Sequence, residues 1–280
     1  MWKQKIGLSV GSTYGLSNSD FIKLVKKTGF DAISPSWSKT DNFREIIECA
    51  KENDLMIYAV HAPFKRSADM WRANEEKAEA AVEELLEVLS DCEKYGAPVM
   101  VCHPWIGFDY SDVPGEVGFS RYARVVERAK ELNIKIAIEN TEGEEFLFAL
   151  MERFKNEAHV GFCWDSGHEL CYNHSKDLLG MYGDRLLVTH LNDNLGISRF
   201  DGVTFWTDDL HLLPYDGIID WDHNIRRLKA CSPLDIINFE LSKSSMPGRH
   251  ENDIYAVMSA EVYIAEAYKR ACKIAYRYKG

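Results

Sequence analysis

Eight short apolar runs recur along the chain, each followed by a stretch of helical period, and six of them end in a residue able to bind a metal or move a proton. The runs lie at about residues 5–10, 31–35, 56–61, 98–103, 134–139, 159–165, 185–190 and 235–240. The six polar ends are His61, His103, Glu139, Asp165, His190 and Glu240. Strand then helix, eight times over, predicts parallel strands joined by right-handed crossovers. Eight such units close into a barrel whose strands all open on one mouth. Packing gives no reason for reactive side chains at six strand ends, whereas convergence on one site does. The expected fold is therefore α/β, a single (β/α)8 TIM barrel. An open doubly wound sheet would carry a glycine-rich phosphate loop after its first strand, and Val10-Gly11-Ser12-Thr13-Tyr14-Gly15 lacks the full motif.

At 280 residues and 46% hydrophobic content, one barrel domain uses the whole chain, 1–280, and no low-complexity or Pro/Ser-rich linker divides it. The start, Met1 to Lys5, lacks the apolar stretch of a signal peptide, and no run is long enough to span a bilayer. Seven scattered cysteines without a C-x-x-C pair read as reduced thiols of a cytoplasmic protein. A net charge of −11, from 33 basic and 44 acidic residues, argues against a protein that grips nucleic acid over a wide face. A local basic rim of Lys65, Arg66 and Arg72 is the exception left open.

Locally, Asp20–Lys27 has helical spacing stopped by Gly29, and 73–95 reads as a long helix closed by Gly96-Ala97-Pro98. A final helix is expected over 251–277. Between His190 and His211 the chain passes Asn192, Asp193, Gly196, Phe200, Gly202, Phe205 and Trp206 without helical period. Such a loop forms a lid or substrate wall, or else a subunit contact in a homo-oligomer.

Glu139, Asp165, His190 and Glu240 end strands five to eight and are neighbours round one arc of the mouth. Three carboxylates and an imidazole suit Mn²⁺, Mg²⁺, Co²⁺ or Zn²⁺. One alone would read as a helix-capping carboxylate; four at matching ends do not. His61, His103, His168 and the pair Asp209/His211 form a second layer, with orientation of a substrate hydroxyl and loop stabilisation as the plainer alternatives. His159, His174, His223 and His250 have no matching position. Tyr14, Trp37, Phe64 and Trp105 follow strands one to four and could wall a sugar or simply pack. Arg72 and Lys65 could meet a phosphate or only solvent.

The motifs His61-Ala62-Pro63-Phe64, His103-Pro104, Ile138-Glu139-Asn140-Thr141, Asp165-Ser166-Gly167-His168, His190-Leu191-Asn192-Asp193, Asp209-Leu210-His211 and Glu240, in this order, resemble the xylose-isomerase-like TIM-barrel superfamily. The likeness runs over essentially the whole chain. It implies sugar or sugar phosphate isomerases and epimerases in one branch, and zinc-dependent abasic-site nucleases of the endonuclease IV type in another. In the epimerases the positions of Glu139, Asp165, His190 and Glu240 hold one divalent ion, and the two glutamates exchange the substrate proton. In the nucleases three zinc ions are held, and the matching positions are those four with His61, His103, His168, Asp209 and His211. All nine are present here. The nucleases carry Arg where this chain has Leu210.

The expected activity is isomerisation or epimerisation of a small sugar or sugar phosphate. A divalent ion, zinc or manganese, one to three in number, would polarise a carbonyl and stabilise the enediolate. Glu139 and Glu240 would be the acid/base pair. The alternative is metal-assisted phosphodiester hydrolysis, which the full ligand set favours and the acidic balance opposes.

Overall fold

The computed structural model describes residues 4–108, 111–198 and 202–280. Met1 to Lys3 and Phe200, which entered the expectations above, lie outside them. Strands β1 (Lys5–Val10), β2 (Ala32–Pro35) and β3 (Met56–Ile57) pair in parallel, with β9 (Ile236–Phe239) on the other side of β1. A second parallel arc runs β4 (Val60–His61), β5 (Val99–Cys102), β6 (Lys135–Glu139), β7 (Val160–Asp165), β8 (Leu186–His190). Two parallel bridges, Ser36 to His61 and Leu191 to Phe239, join the arcs into a closed barrel. The expected third strand thus divides at Tyr58-Ala59, its first half pairing with β2 and its second with β5.

Helices cover the outside. In α1 (Asn18–Thr28), the Ser17 hydroxyl accepts from the Asp20 amide, and Gly29 ends the helix at φ 122°. Only glycine suits that turn, because a Cβ there would also lie 2.6 Å from the Tyr268 ring. The long α3 (Glu75–Tyr95), after α2 (Asp41–Glu52), is capped by Asn74 and closed by left-handed Gly96, as expected. Next come α4 (Glu116–Glu131), α5 (Glu144–Arg153), α6 (Ser166–Cys171), α7 (Leu178–Tyr182) and α8 (Trp221–Lys229). The expected final helix is two, α9 (Asp253–Ala256) and α10 (Ala260–Lys279). Ser259 is extended and caps α10, so the chain turns there instead of continuing. No helix among the described residues is long and apolar enough to cross a membrane.

The two-residue period of a strand explains the mouth. Ala59, Val101, Ala137, Cys163 and Val188 pack together in the barrel interior. Two positions further on, on the same face, stand His61, His103, Glu139, Asp165 and His190. The larger apolar cluster, including Met100, Ile136, Ile138 and Phe162, faces the helices. Small residues inside and large ones outside let the strands carry a polar floor above a narrow apolar core.

Candidate active site

Glu139 lies at the centre, fully buried. Its Oε2 is 3.1 Å from His61 Nε2 and 3.3 Å from His103 Nε2; its Oε1 is 2.9 Å from His190 Nδ1. Glu240 reaches the same His190 Nδ1 at 2.8 Å. Asp165 caps α6: its Oδ1 accepts from the His168 amide at 2.7 Å and its Oδ2 from Asn192 Nδ2 at 2.8 Å. Asp209 Oδ2 stands between His168 Nε2, at 3.2 Å, and His211 Nε2, at 2.9 Å.

All nine expected residues are therefore gathered, in three groups of which the first two share Glu139. His61, His103 and Glu139 make one; Glu139, Asp165, His190 and Glu240 the second; His168, Asp209 and His211 the third. Within each, one ligand atom per residue lies within 4.8 Å of the others.

The tautomers say what such groups suit. His61 Nδ1 is 2.7 Å from the Ala62 carbonyl, His168 Nδ1 2.9 Å from that of Asn140, and His211 Nδ1 3.2 Å from that of Glu240. A carbonyl only accepts, so each Nδ1 carries the proton, and a neutral ring then turns its Nε2 lone pair towards a carboxylate. Lone pair against carboxylate is repulsive unless a cation lies between them. Asp209 Oδ1, His103 Nδ1 and His190 Nε2 are moreover buried without hydrogen-bond partners. The donor set thus fits divalent ions.

Without a metal the cations must be protons. Burial opposes a charge on His168, but Asp165 and Asp209 outweigh it and hold its pKa well above the usual imidazole range. The same contest, with Asp209 dominant, lifts His211 to about 10. Burial would raise Glu139, yet His190 and His103 draw it well below a normal carboxylate. Glu240 falls to about 2, His190 overcoming its desolvation. Asp165 rises to about 6 because burial prevails.

Above this floor opens a cavity of about 450 Å³, lined by Phe64, Phe108, Glu142, Tyr172, Trp206 and Met246 among others. The wall differs from the expected one. Phe64 takes part, stacked on His103 with centroids 4.7 Å apart. Trp105 is instead buried on Phe146, Tyr14 packs on Phe21 and Tyr263, and Trp37 donates to Asp91. Trp206, from the loop after β8, lines the cavity, which favours the substrate-wall reading of that loop. Arg72 is paired with Asp112 at 2.7 Å. A larger hollow, about 730 Å³, lies at the opposite strand ends around Lys135, Gly161 and Leu186, away from these groups.

Four residues without an assigned role turn out to build the site. Asn140 Oδ1 accepts from the Asp165 amide and Asn192 holds the Asp165 carboxylate. Glu142 accepts from the Gly107 amide. Asp193, fully buried, accepts from the Asn194, Tyr215 and Ile219 amides and the Trp221 indole. Three of the four, Asn140, Asn192 and Asp193, lie one to three residues after strand-end ligands in the motifs quoted above; that position signalled nearness to the site but not the partner each one bonds.

The family model described as xylose isomerase-like TIM barrel matches residues 22–241. An uncharacterised protein, y4fM, of Sinorhizobium fredii is 35% identical over 129 residues, 40% of this chain and 41% of that one. The match thus spans about two-fifths of the curated relative. Among solved structures, the IolI protein with a bound zinc atom superposes with TM-score 0.75 at 19% identity, over 98% of this chain and 99% of that one. The D-psicose 3-epimerase with D-tagatose from Clostridium cellulolyticum H10 gives 0.72 at 14% identity, over 99% and 100%.

Proposed function

We propose that this chain, which belongs to the xylose isomerase-like TIM barrel family, is a cytoplasmic, single-domain, divalent-metal-dependent isomerase or epimerase of a small sugar. The observation that carries the reading is the group of buried Glu139, Asp165 and His190 with half-buried Glu240, ligand atoms within 4.8 Å, beneath a cavity of about 450 Å³. These four would hold the ion. Three oxygens and one nitrogen suit manganese or zinc, while the histidine-rich groups beside them favour zinc. When bound, the ion supplies Lewis-acid polarisation of the substrate carbonyl, which acidifies the neighbouring C–H.

The chain's own residues do the rest. Glu139 and Glu240, both drawn low in pKa, are ionised and able to accept a proton from carbon. In epimerisation one carboxylate takes the proton and the other, protonated, delivers one on the opposite face; in isomerisation the carboxylate that took the proton returns it to the adjacent carbon. Asn140 and Asn192 fix Asp165, and the Phe108, Tyr172 and Trp206 wall keeps water from the reacting carbon. The bound zinc of IolI and the D-tagatose held by the psicose epimerase agree with this reading.

The second reading, zinc-dependent phosphodiester hydrolysis, is favoured by one observation: the two further groups, His61/His103/Glu139 and His168/Asp209/His211, which a one-ion isomerase does not need. Nicking of abasic-site DNA by the zinc-loaded protein distinguishes them. The isomerase reading expects no nicking above a metal-free control, and His211→Ala that keeps detectable sugar activity. Robust nicking that is lost in His211→Ala would replace it with the nuclease.

A further inference from the structure

The cavity above the floor is as informative for what it lacks as for what it holds. Among the described residues lining it there is no lysine or arginine. Three basic side chains of the flanking segments are bonded elsewhere. Arg72 is bound to Asp112 at 2.7 Å. Arg249 is bound to Asp208 at 3.2 Å and Glu251 at 2.6 Å. The Lys243 ammonium donates to the Ala256 carbonyl at 2.8 Å. Beyond the histidines and carboxylates of the floor, the polar side chains offered are Ser36, Glu142, the Tyr172 hydroxyl and the Trp206 indole, all uncharged but Glu142. Glu142 is buried, with Oε1 fixed by the Gly107 amide at 2.8 Å. A carboxylate there accepts from a hydroxyl and repels an anion. Phe64, Ile106, Phe108, Met246 and the ring faces of Tyr172 and Trp206 are apolar and suit the C–H face of a ring. At about 450 Å³ the space is at the small end of ligand sites, which run to roughly 1,000 Å³.

Resting on the isomerase reading, we infer that the substrate is an uncharged polyhydroxylated carbonyl compound of about one sugar ring, and that its phosphate ester is excluded. On the wall above the floor a phosphate tail would meet the Glu142 carboxylate and aromatic rings, with no lysine or arginine among the described lining residues, whereas a neutral ketose gives Glu142 a hydroxyl and the wall an apolar face.

Calorimetric titration of the metal-loaded protein tests this directly. The probes are D-tagatose, D-psicose and L-ribulose against D-tagatose 6-phosphate, D-psicose 6-phosphate and L-ribulose 5-phosphate. At least one neutral ketose should bind ten or more times tighter than its ester. Met246→Arg, which places a cation on the wall, should raise ester affinity at least tenfold, and Glu142→Gln should narrow the gap several-fold. An ester that binds the parent protein as tightly as its ketose overturns the inference and leaves the isomerase reading standing. A panel in which neither ketoses nor esters bind overturns both.

Discussion

Asp193→Asn changes one atom and should come close to unfolding the protein. The native carboxylate is fully buried and accepts four hydrogen bonds. Oδ1 receives the Asn194 amide at 2.9 Å and the Ile219 amide at 3.1 Å; Oδ2 receives the Tyr215 amide at 2.8 Å and the Trp221 indole at 2.9 Å. Whichever oxygen becomes an amide NH₂ then faces two donors with a donor. Hydrogen bonds to a charged group contribute about 1.5–3 kcal/mol each, so losing two costs about 3–6 kcal/mol. That is a large part of the roughly 5–15 kcal/mol that holds a domain folded. The same hub pins the segment running from β8 to α8, which carries Asp209 and His211. Urea unfolding followed by circular dichroism should show the midpoint falling at unchanged m-value. Hydrogen exchange should show residues 202–219 opening below the global transition. A loss under about 1 kcal/mol, or a segment as protected as before, would refute the hub.

His190→Ala removes the only nitrogen of the four-residue group and should weaken metal binding at least tenfold; elemental analysis after dialysis would show full occupancy if the group is not a metal site. In the chelated protein His211 titrates at about 10 against an ordinary 6.5, Asp209 having overcome the effect of burial. A raised imidazole pKa contributes stability that is whole below about pH 6.5 and fades as pH climbs through 10. The Tm of stripped protein should therefore fall between about pH 7 and 10, and metal uptake should release protons. A flat Tm across that window would contradict the pairing. The His211→Ala variant should also retain sugar activity while losing any nicking, as set out above.

The barrel and its floor are legible because a strand alternates every two residues. Val101 and His103, Ala137 and Glu139, Cys163 and Asp165, Val188 and His190 each place a small core residue beneath a polar tip. Other features depend on partners far along the chain. Nothing local reveals that Asn192 holds Asp165 across 27 positions, or that Asp193 bonds Trp221 across 28. Trp37 and Trp105 also follow strand ends, yet Asp91 and Phe146 draw them into the packing between strand and helix. The break before α10 did have a local mark in Ser259, a residue that caps helices more readily than it continues them.

The most direct test of the account is solvent deuterium incorporation at the carbon beside a ketose carbonyl, measured by NMR in D₂O with the metal-loaded protein. Glu139→Gln and Glu240→Gln keep side-chain shape but cannot accept a proton. The account predicts incorporation by the parent protein and none by either variant, with Glu240→Gln still folded. Incorporation by either variant at the parent's rate would contradict the roles assigned to the two glutamates.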